Sequence, residues 1–293
     1  MNVLPRDKQI EITAALTEGC SIRTVERLTG VHRDTIMRLG ARVGTGCARL
    51  HDYRMLGLRV GRIELDELWS FVGKKQRRVT RKDEAVTGDQ YVFTALASTS
   101  KAILSYRVGK RNGANTEAFV EDLRSRVIGS PEISTDGLHY YETAIRFAFG
   151  NRVAYGQIIK SYVGEPKMDA ARRYSPGVVV AVNRQVISGV PAHISTSYVE
   201  RSNLSVRMAS RRFTRLTNGF SKKLENHEAA FGLFVCHYNW CRVHEATRAT
   251  PAISLGLTDH PWSIGELLDA ALGYAPGTPR VKRHFRLIKG GKE

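Results

Sequence analysis

Residues 63–73 read Ile-Glu-Leu-Asp-Glu-Leu-Trp-Ser-Phe-Val-Gly, which places three carboxylates inside an apolar and aromatic run. Leu65, Trp69 and Phe71 would bury well in a β sheet, and a carboxylate drawn in beside them needs a cation, a metal or a proton. Asp66 is therefore the first candidate for a metal ligand, and the neighbouring Glu64 and Glu67 are candidates to assist it. The alternative is a strand edge that carries solvated acids, and from these residues alone this interpretation is supported at least as well as a metal site.

The charge of the chain favours a polyanionic partner. Its formal net charge is +17, from 45 Lys and Arg against 28 Asp and Glu. Neutralising phosphates releases counterions, so a surplus spread along the chain fits extended contact with nucleic acid. Charge alone does not separate DNA from RNA, or either from an anionic membrane surface. Because no apolar run approaches about eighteen residues and the start lacks a signal-peptide core, we expect no membrane partner and a cytoplasmic, nucleoid-associated protein.

Residues 5 to about 40 show the pattern of three short helices. Gly19 ends the first helix, Ser21 can cap the second and Gly30 closes it, which predicts a helix-turn-helix. The candidate DNA contacts are His32, Arg33, Thr35 and Arg38 in the major groove, with Arg23 and Arg27 near phosphates. The alternative is an ordinary three-helix cap that touches no DNA, but the five arginines between positions 23 and 42 favour DNA binding.

The Gly-rich residues 40–46 predict a hinge, after which the pattern changes to strands. We expect strands over residues 58–69, 90–97 and 103–108, a helix from residue 115, a strand over 132–135, a helix over 138–149 and a strand over 152–159. This is the element order of a ribonuclease-H-like domain. The predicted fold class is therefore α/β, a mixed sheet flanked by helices, with an N-terminal all-α helix-turn-helix domain.

The predicted organisation has three parts. Residues 1–46 form the helix-turn-helix domain and the hinge, and residues 58–250 form the ribonuclease-H-like catalytic domain with an insertion at about 161–194. Residues 251–293 form a C-terminal helical segment and a basic tail that begins near residue 279.

In this arrangement three carboxylates from distant segments can converge. Asp66 lies on the first strand, Asp136 at the end of the fourth and Glu200 in the first turn of a later helix. Such a set could hold two divalent ions about 3.5–4 Å apart beside a phosphodiester, and hard oxygen ligands suit Mg²⁺ or Mn²⁺. Two alternatives stay open: Asp136-Gly137 is also an ordinary turn, and residues 197–200 match the capping box Ser-x-x-Glu.

Three sequence blocks together resemble a DDE transposase of the insertion-sequence-one family. The blocks are Asp-Glu-Leu-Trp-Ser-Phe-Val-Gly at 66–73, Thr-Asp-Gly at 135–137 and Tyr-Val-Glu-Arg-Ser-Asn at 198–203, and the similarity covers about residues 60 to 250. The Tyr-Asn-x-x-Arg-x-His segment at 238–244 is also similar to one in related integrases and transposases. The resemblance implies a ribonuclease-H-like core, Mg²⁺-dependent cleavage and strand transfer at element ends, and a homo-oligomer assembled on double-stranded DNA.

By that resemblance Asp66, Asp136 and Glu200 are the catalytic and metal-binding triad, and Arg207 is the basic residue two turns after the Glu. Two features depart from the family. Its founding members carry a Cys-based zinc finger that this chain lacks, and the 64-residue interval between Asp136 and Glu200 is longer than usual. The second departure indicates that the Arg-rich insertion makes its own contacts.

Two further groups of residues are candidate DNA contacts. One follows the first strand and the other lies on the helix of Glu200 and just beyond it: Lys74, Lys75, Arg77 and Arg78, and Asn203, Arg207, Arg211 and Arg212. Solvated faces are the alternative for both groups. Two other functions are weighed against a transposase, namely a DNA-binding regulator whose larger domain only oligomerises and a nuclease that does not join strands.

Overall fold

The computed structural model describes residues 4–151, 153–163, 178–215 and 217–273. The predicted basic tail and the middle of the predicted insertion lie outside these residues. The described helices are α1 Arg6–Thr17, α2 Ile22–Thr29, α3 Arg33–Arg54, α4 Gly113–Arg126, α5 Tyr140–Phe149, α6 Ser197–Ala209, α7 Leu224–Cys236, α8 Pro251–Ser254 and α9 Ile264–Gly273. The described strands are β1 Leu58–Arg59, β2 Arg62–Val72, β3 Gly88–Ala97, β4 Ile103–Gly109, β5 Val127–Ile128, β6 Glu132–Asp136, β7 Tyr155–Val163 and β8 Val178–Ser188.

A six-stranded mixed sheet forms the centre of the fold, with the strand order β4-β3-β2-β6-β7-β8. The strands β2, β6 and β7 are parallel neighbours, whereas β3 pairs antiparallel with both β2 and β4, and β8 pairs antiparallel with β7. The carboxyl ends of β2, β4, β6 and β7 therefore lie at one edge of the sheet. The predicted α/β class, a mixed sheet flanked by helices, is confirmed.

The strand that carries Asp66 is central in this sheet. β2 lies between β3 and β6, so the alternative of an edge strand with solvated acids is wrong for Asp66. The strand predicted over residues 58–69 is divided in two: β1 pairs with β5 in a separate two-stranded sheet, and β2 begins at Arg62. Most residues of β2 are buried, whereas Asp66 and Glu67 are partly exposed.

The hinge predicted at residues 40–46 is wrong, because α3 runs without a break through this segment. Its glycines serve close packing between helices instead. A Cβ atom at Gly44 would lie 2.0 Å from the carbonyl oxygen of Ala229 in α7, and one at Gly46 would lie 2.2 Å from that of Ala271 in α9. Glycine is required there because any side chain would push the neighbouring helices away.

The three predicted N-terminal helices are present. The Ser21 side chain accepts a hydrogen bond from the backbone of Thr24 at 3.1 Å, and Gly30 ends α2 with a φ of 70°. These helices share one apolar core with the sheet and with α9, and Arg6 forms an ion pair with Asp269 at 2.5 Å. The DNA-binding role of the helices and the division of the chain into three parts stay predictions.

The predicted insertion contributes a strand to the sheet. β7 starts at Tyr155, runs beyond the predicted end at residue 159, and forms an antiparallel pair with β8. Residues 178–188 thus extend the sheet by one strand at its edge. Among the described residues, no helix has both the length and the apolar character needed to cross a membrane.

Candidate active site

Asp66 and Asp136 lie at the same level of two adjacent parallel strands. The register pairs Glu64 of β2 with Ser134 of β6, so the positions two residues further along each strand are Asp66 and Asp136. Successive side chains of a strand alternate between faces, which puts Glu64 and Asp66 on one face of the sheet and Glu67 on the other. The two predicted aspartates are therefore neighbours at the level where β6 ends, whereas β2 continues to Val72.

Glu64 attaches the amino terminus of α6 to this strand. Its carboxylate is buried and accepts hydrogen bonds from the backbone N–H groups of Tyr198 at 2.7 Å and Val199 at 3.0 Å. Burial raises the pKa of Glu64, while these two hydrogen bonds oppose the increase. The helix is thus capped by a distant carboxylate, and the capping-box alternative is wrong because the N-cap is Thr196 and no box with Ser197 forms.

The docked helix brings Glu200 and Asn203 to the acidic edge. The amide nitrogen of Asn203 donates to the Asp66 carboxylate at 2.7 Å. Glu200 accepts a hydrogen bond from the Thr196 hydroxyl at 2.6 Å and forms an ion pair with Lys160 of β7. Glu200 and Asn203 are one helical turn apart, so the same face of α6 meets both β2 and β7.

Glu67 adds a fourth carboxylate from the opposite face of β2. Arg111, two residues after β4, donates to Glu67 at 3.0 Å and to Asp136 at 3.4 Å, so one guanidinium joins two acids. Glu67 also accepts a hydrogen bond from the Tyr141 hydroxyl of α5. The second oxygen of Asp136 accepts the backbone N–H of Leu138 at 3.0 Å, so Asp136 is both a turn residue and a member of the cluster.

The four carboxylates of this acidic centre, Asp66, Glu67, Asp136 and Glu200, repel one another. The pKa of Asp66 is raised to about 8, first by burial and then by the charges of Glu67, Asp136 and Glu200. Burial, followed by the charge of Asp136, raises the pKa of Glu67 to about 7, although Tyr141 and Arg111 oppose this. The acidic centre therefore attracts positive charge beyond that of Arg111 and Lys160.

The acidic centre fits a divalent metal ion by its chemistry. Carboxylate oxygens are the ligands that Mg²⁺ prefers. Two buried polar atoms beside Asp66 have no hydrogen-bond partner among the described residues: the side-chain oxygens of Asn203 and of Thr94, the residue opposite Asp66 on β3. In the described part of the chain, no three His, Cys, Asp or Glu side chains are gathered closely enough to form a set of metal ligands. Cationic side chains contact Glu200 and Asp136.

Arg207 lies two turns after Glu200 on α6, as predicted, and its guanidinium returns to β2. It donates to the carbonyl oxygens of Phe213 at 2.7 Å and Trp69 at 3.5 Å. Its pKa is lowered to about 10 by burial and then by Arg215, whereas the charge of Asp66 opposes the decrease. Arg207 is therefore fixed close to the acidic centre instead of being a free surface cation.

The other predicted DNA contacts lie in three places. Lys74, Lys75, Arg77 and Arg78 follow β2 in the loop that leads to β3. Arg23, Arg211 and Arg212 line one cavity of about 720 Å³ between the N-terminal helices and α7, and Arg212 donates to the Ser221 hydroxyl at 3.1 Å. His32 caps α3, and Arg27, Arg33, Thr35 and Arg38 lie on α2 and the first turns of α3.

Sequence reasoning missed three residues of the site: Arg111, Tyr141 and Lys160. Arg111 could have been found, because β4 runs in the same direction as β2 and this arginine lies two residues after its end. Lys160 interrupts the apolar strand Tyr155–Val163 much as Asp66 interrupts β2. Tyr141 gave no signal, since a tyrosine on the buried face of a helix is ordinary core.

No known protein-family model matches the sequence, and no curated protein sequence matches it. Among solved structures, the chain is similar to the piggyBac transposase in a cryo-EM synaptic complex with hairpin DNA. The match covers 91% of this chain and 59% of that chain, with 11% sequence identity and a TM-score of 0.34. A similarity at that level carries no argument about the site, and the chain spans less than two thirds of that transposase.

Proposed function

We propose that the protein is a transposase that cleaves DNA phosphodiesters at the ends of an insertion element and joins the freed 3′-hydroxyl to target DNA. The observation that carries the proposal is the acidic centre. Three segments far apart in the sequence bring Asp66, Asp136 and Glu200 to one edge of the sheet, in a chain of net charge +17. Like charges are costly to bring near one another, so a fold that does so favours the binding of cations there.

Asp66, Asp136 and Glu200 would hold Mg²⁺, with Mn²⁺ as a substitute. When bound, the metal supplies the charge that activates the attacking oxygen and stabilises the leaving one. Asn203 orients the Asp66 carboxylate through its 2.7 Å hydrogen bond. Arg111 and Lys160 balance the acids before DNA arrives and are placed to contact phosphate oxygens afterwards.

The order of the sheet supports a ribonuclease-H-like core. In β4-β3-β2-β6-β7 the first three strands form an antiparallel meander, and the next two are parallel to β2 and follow helices. This is the element order predicted for that domain. The resemblance of residues 66–73 and 198–203 to the insertion-sequence-one family therefore has a compatible framework.

The proposed DNA contacts fall outside the acidic centre. The exposed N-terminal cations Arg23, Arg27, Arg33 and Arg38 would bind element ends as part of a helix-turn-helix, and the basic residues after β2 would bind phosphates. We propose that homo-oligomers assemble on the DNA, since two element ends must be held together before strand transfer. A protein of this charge acting on DNA would be associated with the nucleoid.

Single replacement of the three acids tests the proposal. Asp66→Ala, Asp136→Ala and Glu200→Ala in the full chain should each lower Mg²⁺-dependent cleavage at least about a hundredfold. The substrate is a plasmid that carries the DNA flanking the gene on both sides, with products separated on a gel. Glu121→Ala, an exposed acid on α4, is the matched control and should cleave normally. Cleavage retained in all three variants would contradict the proposal.

One observation favours a second candidate, a DNA-binding regulator without catalysis. Arg111 and Lys160 already pair with three of the four acids, as they would in a purely structural network. A regulator would bind the flanking DNA tightly, show no metal-dependent turnover and be indifferent to Asp66→Ala. A labelled target plasmid in the same assay separates a transposase, which joins strands, from a nuclease, which only cuts.

A further inference from the structure

An aromatic ladder continues along β2 beyond the acidic centre. Trp69 and Phe71 follow Glu67 at alternate positions and therefore share its face of the strand. Their ring centroids are 5.9 Å apart, and Phe220 extends the series at 4.9 Å from Phe71. Phe71 is buried, whereas Trp69 and Phe220 are partly exposed, so the ladder has an open end.

A basic arm lies against this ladder. It consists of Lys74, Lys75, Arg77 and Arg78 in the loop after β2. Together with Phe71 and Phe220 it lines a cleft of about 450 Å³, a size within the range of roughly 300–1,000 Å³ that small-ligand sites have. The Lys75 ammonium lies 5.9 Å from the centre of the Phe71 ring and 6.0 Å from that of Trp69.

The basic arm is held in place before any ligand binds. Gly73 turns the chain at the end of β2 with a φ of +72°, which favours glycine. Asp83 binds the Lys74 ammonium at 2.7 Å and the Thr80 hydroxyl at 2.8 Å, so the returning chain is tied to the arm. In the part of the chain that the structure describes, Lys74 is the member of the arm that has an ion pair, and the other three cations are left for a ligand.

We propose that this cleft binds an unpaired nucleotide of a DNA strand, with its base against the ring of Phe220 and its phosphates on the basic arm. Aromatic rings bind bases by stacking and cations follow the backbone, which is how proteins hold single strands. A paired base has no free face for Phe220, and an uncharged apolar ligand would leave the cations without partners. The inference rests on the proposed function for DNA as the substrate.

The position of the cleft gives it a role near the chemistry. Trp69 is two strand residues from Glu67, a distance of about 7 Å along β2. A strand whose unpaired nucleotide lies at Phe220 would therefore run past the aromatic ladder to Glu67, which Arg111 joins to Asp136. Fraying of the duplex beside the cleavage site would bring the scissile phosphodiester to the acidic centre from this side.

Fluorescence anisotropy with the full chain tests this inference without a divalent ion. The probes are a labelled blunt duplex and the same duplex with a short single-stranded extension, compared at one salt concentration because affinity depends on salt. The wild type should bind the extended probe more tightly. Phe220→Leu keeps an apolar side chain but loses the ring, and should weaken binding of the extended probe about tenfold with little change for the blunt probe. Phe220→Tyr should restore the preference.

The matched control is Phe147→Ala, which removes an 81% exposed ring on α5 and should behave as wild type. Equal binding of the extended probe by wild type and Phe220→Leu would overturn the inference, and so would an equal loss for both probes. The proposed function can fail independently of this inference. If the wild type does not cleave DNA but still binds the extended probe more tightly than the blunt probe, the transposase proposal is wrong and the assignment of the cleft as a nucleotide-binding site stands.

Discussion

Asp66 and Ser70 lie on the same strand and the same face of the sheet, four residues or about 13 Å apart, yet their surroundings differ in kind. Asp66 meets three other carboxylates, and its neighbours Asn203 and Thr94 have buried oxygens without partners. Ser70 is buried in a hydrogen-bonded network that contains one cation, Arg212, and no carboxylate. Both are polar residues in an apolar strand, so the sequence pattern alone makes them look alike.

The Ser70 network has one consistent direction of hydrogen bonding. Arg212 donates to the Ser221 hydroxyl at 3.1 Å, which leaves that hydroxyl to donate to His227 at 3.0 Å. The other ring nitrogen of His227 then donates to Ser70 at 2.8 Å, and Ser70 donates to the carbonyl oxygen of Gln90 at 3.1 Å. Each polar group is satisfied, and the imidazole is neutral.

The difference separates structure from function. A closed network, in which every polar group has a partner, stabilises the junction of β2, α7 and the loop before it, and it has no capacity left for a ligand. The acidic centre is costly to fold and keeps unsatisfied charge and orphaned oxygens, which is the condition of a site that awaits a cation. Substitutions in the two regions should therefore have opposite consequences for activity and stability.

The largest expected effect is on activity at the acidic centre. Asp66→Asn should lower Mg²⁺-dependent cleavage at least about a hundredfold, because a metal ligand is lost. Its free energy of unfolding should be unchanged or higher, since one of four repelling acids becomes neutral. Cleavage assays and urea denaturation on the same preparation measure both quantities. Loss of cleavage together with a lower free energy of unfolding would contradict the prediction that Asp66 serves activity and not stability.

The next effect is on stability at the closed network. His227→Ala should lower the free energy of unfolding by about 3 kcal/mol, because it leaves a cavity and removes one hydrogen bond from each of two buried hydroxyls, those of Ser70 and Ser221. Cleavage per folded molecule should be retained. His193→Ala, at an exposed side chain, is the control and should leave the urea midpoint in place. If the His227→Ala protein were stable but inactive, His227 would have to be assigned a role in catalysis and not in stability.

The same histidine predicts a pH dependence of stability. Burial, followed by the charge of Arg212, lowers the pKa of His227 to about 3, against 6.5 in the unfolded chain. Below pH 6.5 the unfolded chain therefore binds a proton that the folded one does not, and stability falls as the pH decreases towards 3. Between pH 7 and pH 5 this loss is about 2 kcal/mol. His227→Gln should lose correspondingly less over that interval in urea denaturation.

The smallest effect concerns the counter-charge of the acidic centre. Arg111 lowers the pKa of Glu67, so Arg111→Gln should raise that pKa from about 7 by about one further unit. Carboxyl titration by nuclear magnetic resonance measures it. Lys110→Gln is the matched control, because the adjacent Lys110 donates to the backbone oxygens of Thr87 and Asp89. An equal shift in both variants would mean that Arg111 has no special contact with Glu67.

Local sequence patterns predicted most of the fold. Alternation in β3 and β4 and the apolar spacing of α4 were sufficient, because each element buries one regular face. The glycines of α3 were misread as a hinge, since the close approach of Ala229 and Ala271 involves residues far away in the sequence. The pattern also merged β1 with β2 and treated β8 as an insertion.

The candidate site was also predicted only in part, because local patterns do not show which distant segments meet. Asp66, Asp136 and Glu200 were predicted as a set from residue type and order, and the structure places Asp66 beside Asp136 and beside the helix of Glu200. Their catalytic role stays a prediction. The capping role of Glu64 and the contacts of Arg111 and Lys160 depend on which strands end together, which no local pattern contains. The DNA contact of Asn203 stays a prediction; in the structure its amide nitrogen donates a hydrogen bond to Asp66, which the sequence pattern did not indicate.

Binding of Mn²⁺ to the full chain, followed by electron paramagnetic resonance, tests the central claim most directly. The account predicts that the wild type removes Mn²⁺ from the free-ion signal and that Mg²⁺ displaces it. Asp66→Asn should lose this binding, whereas Glu121→Gln should keep it. Equal binding by the wild type and Asp66→Asn, or no binding by either, would contradict the assignment of the acidic centre as a metal-dependent active site.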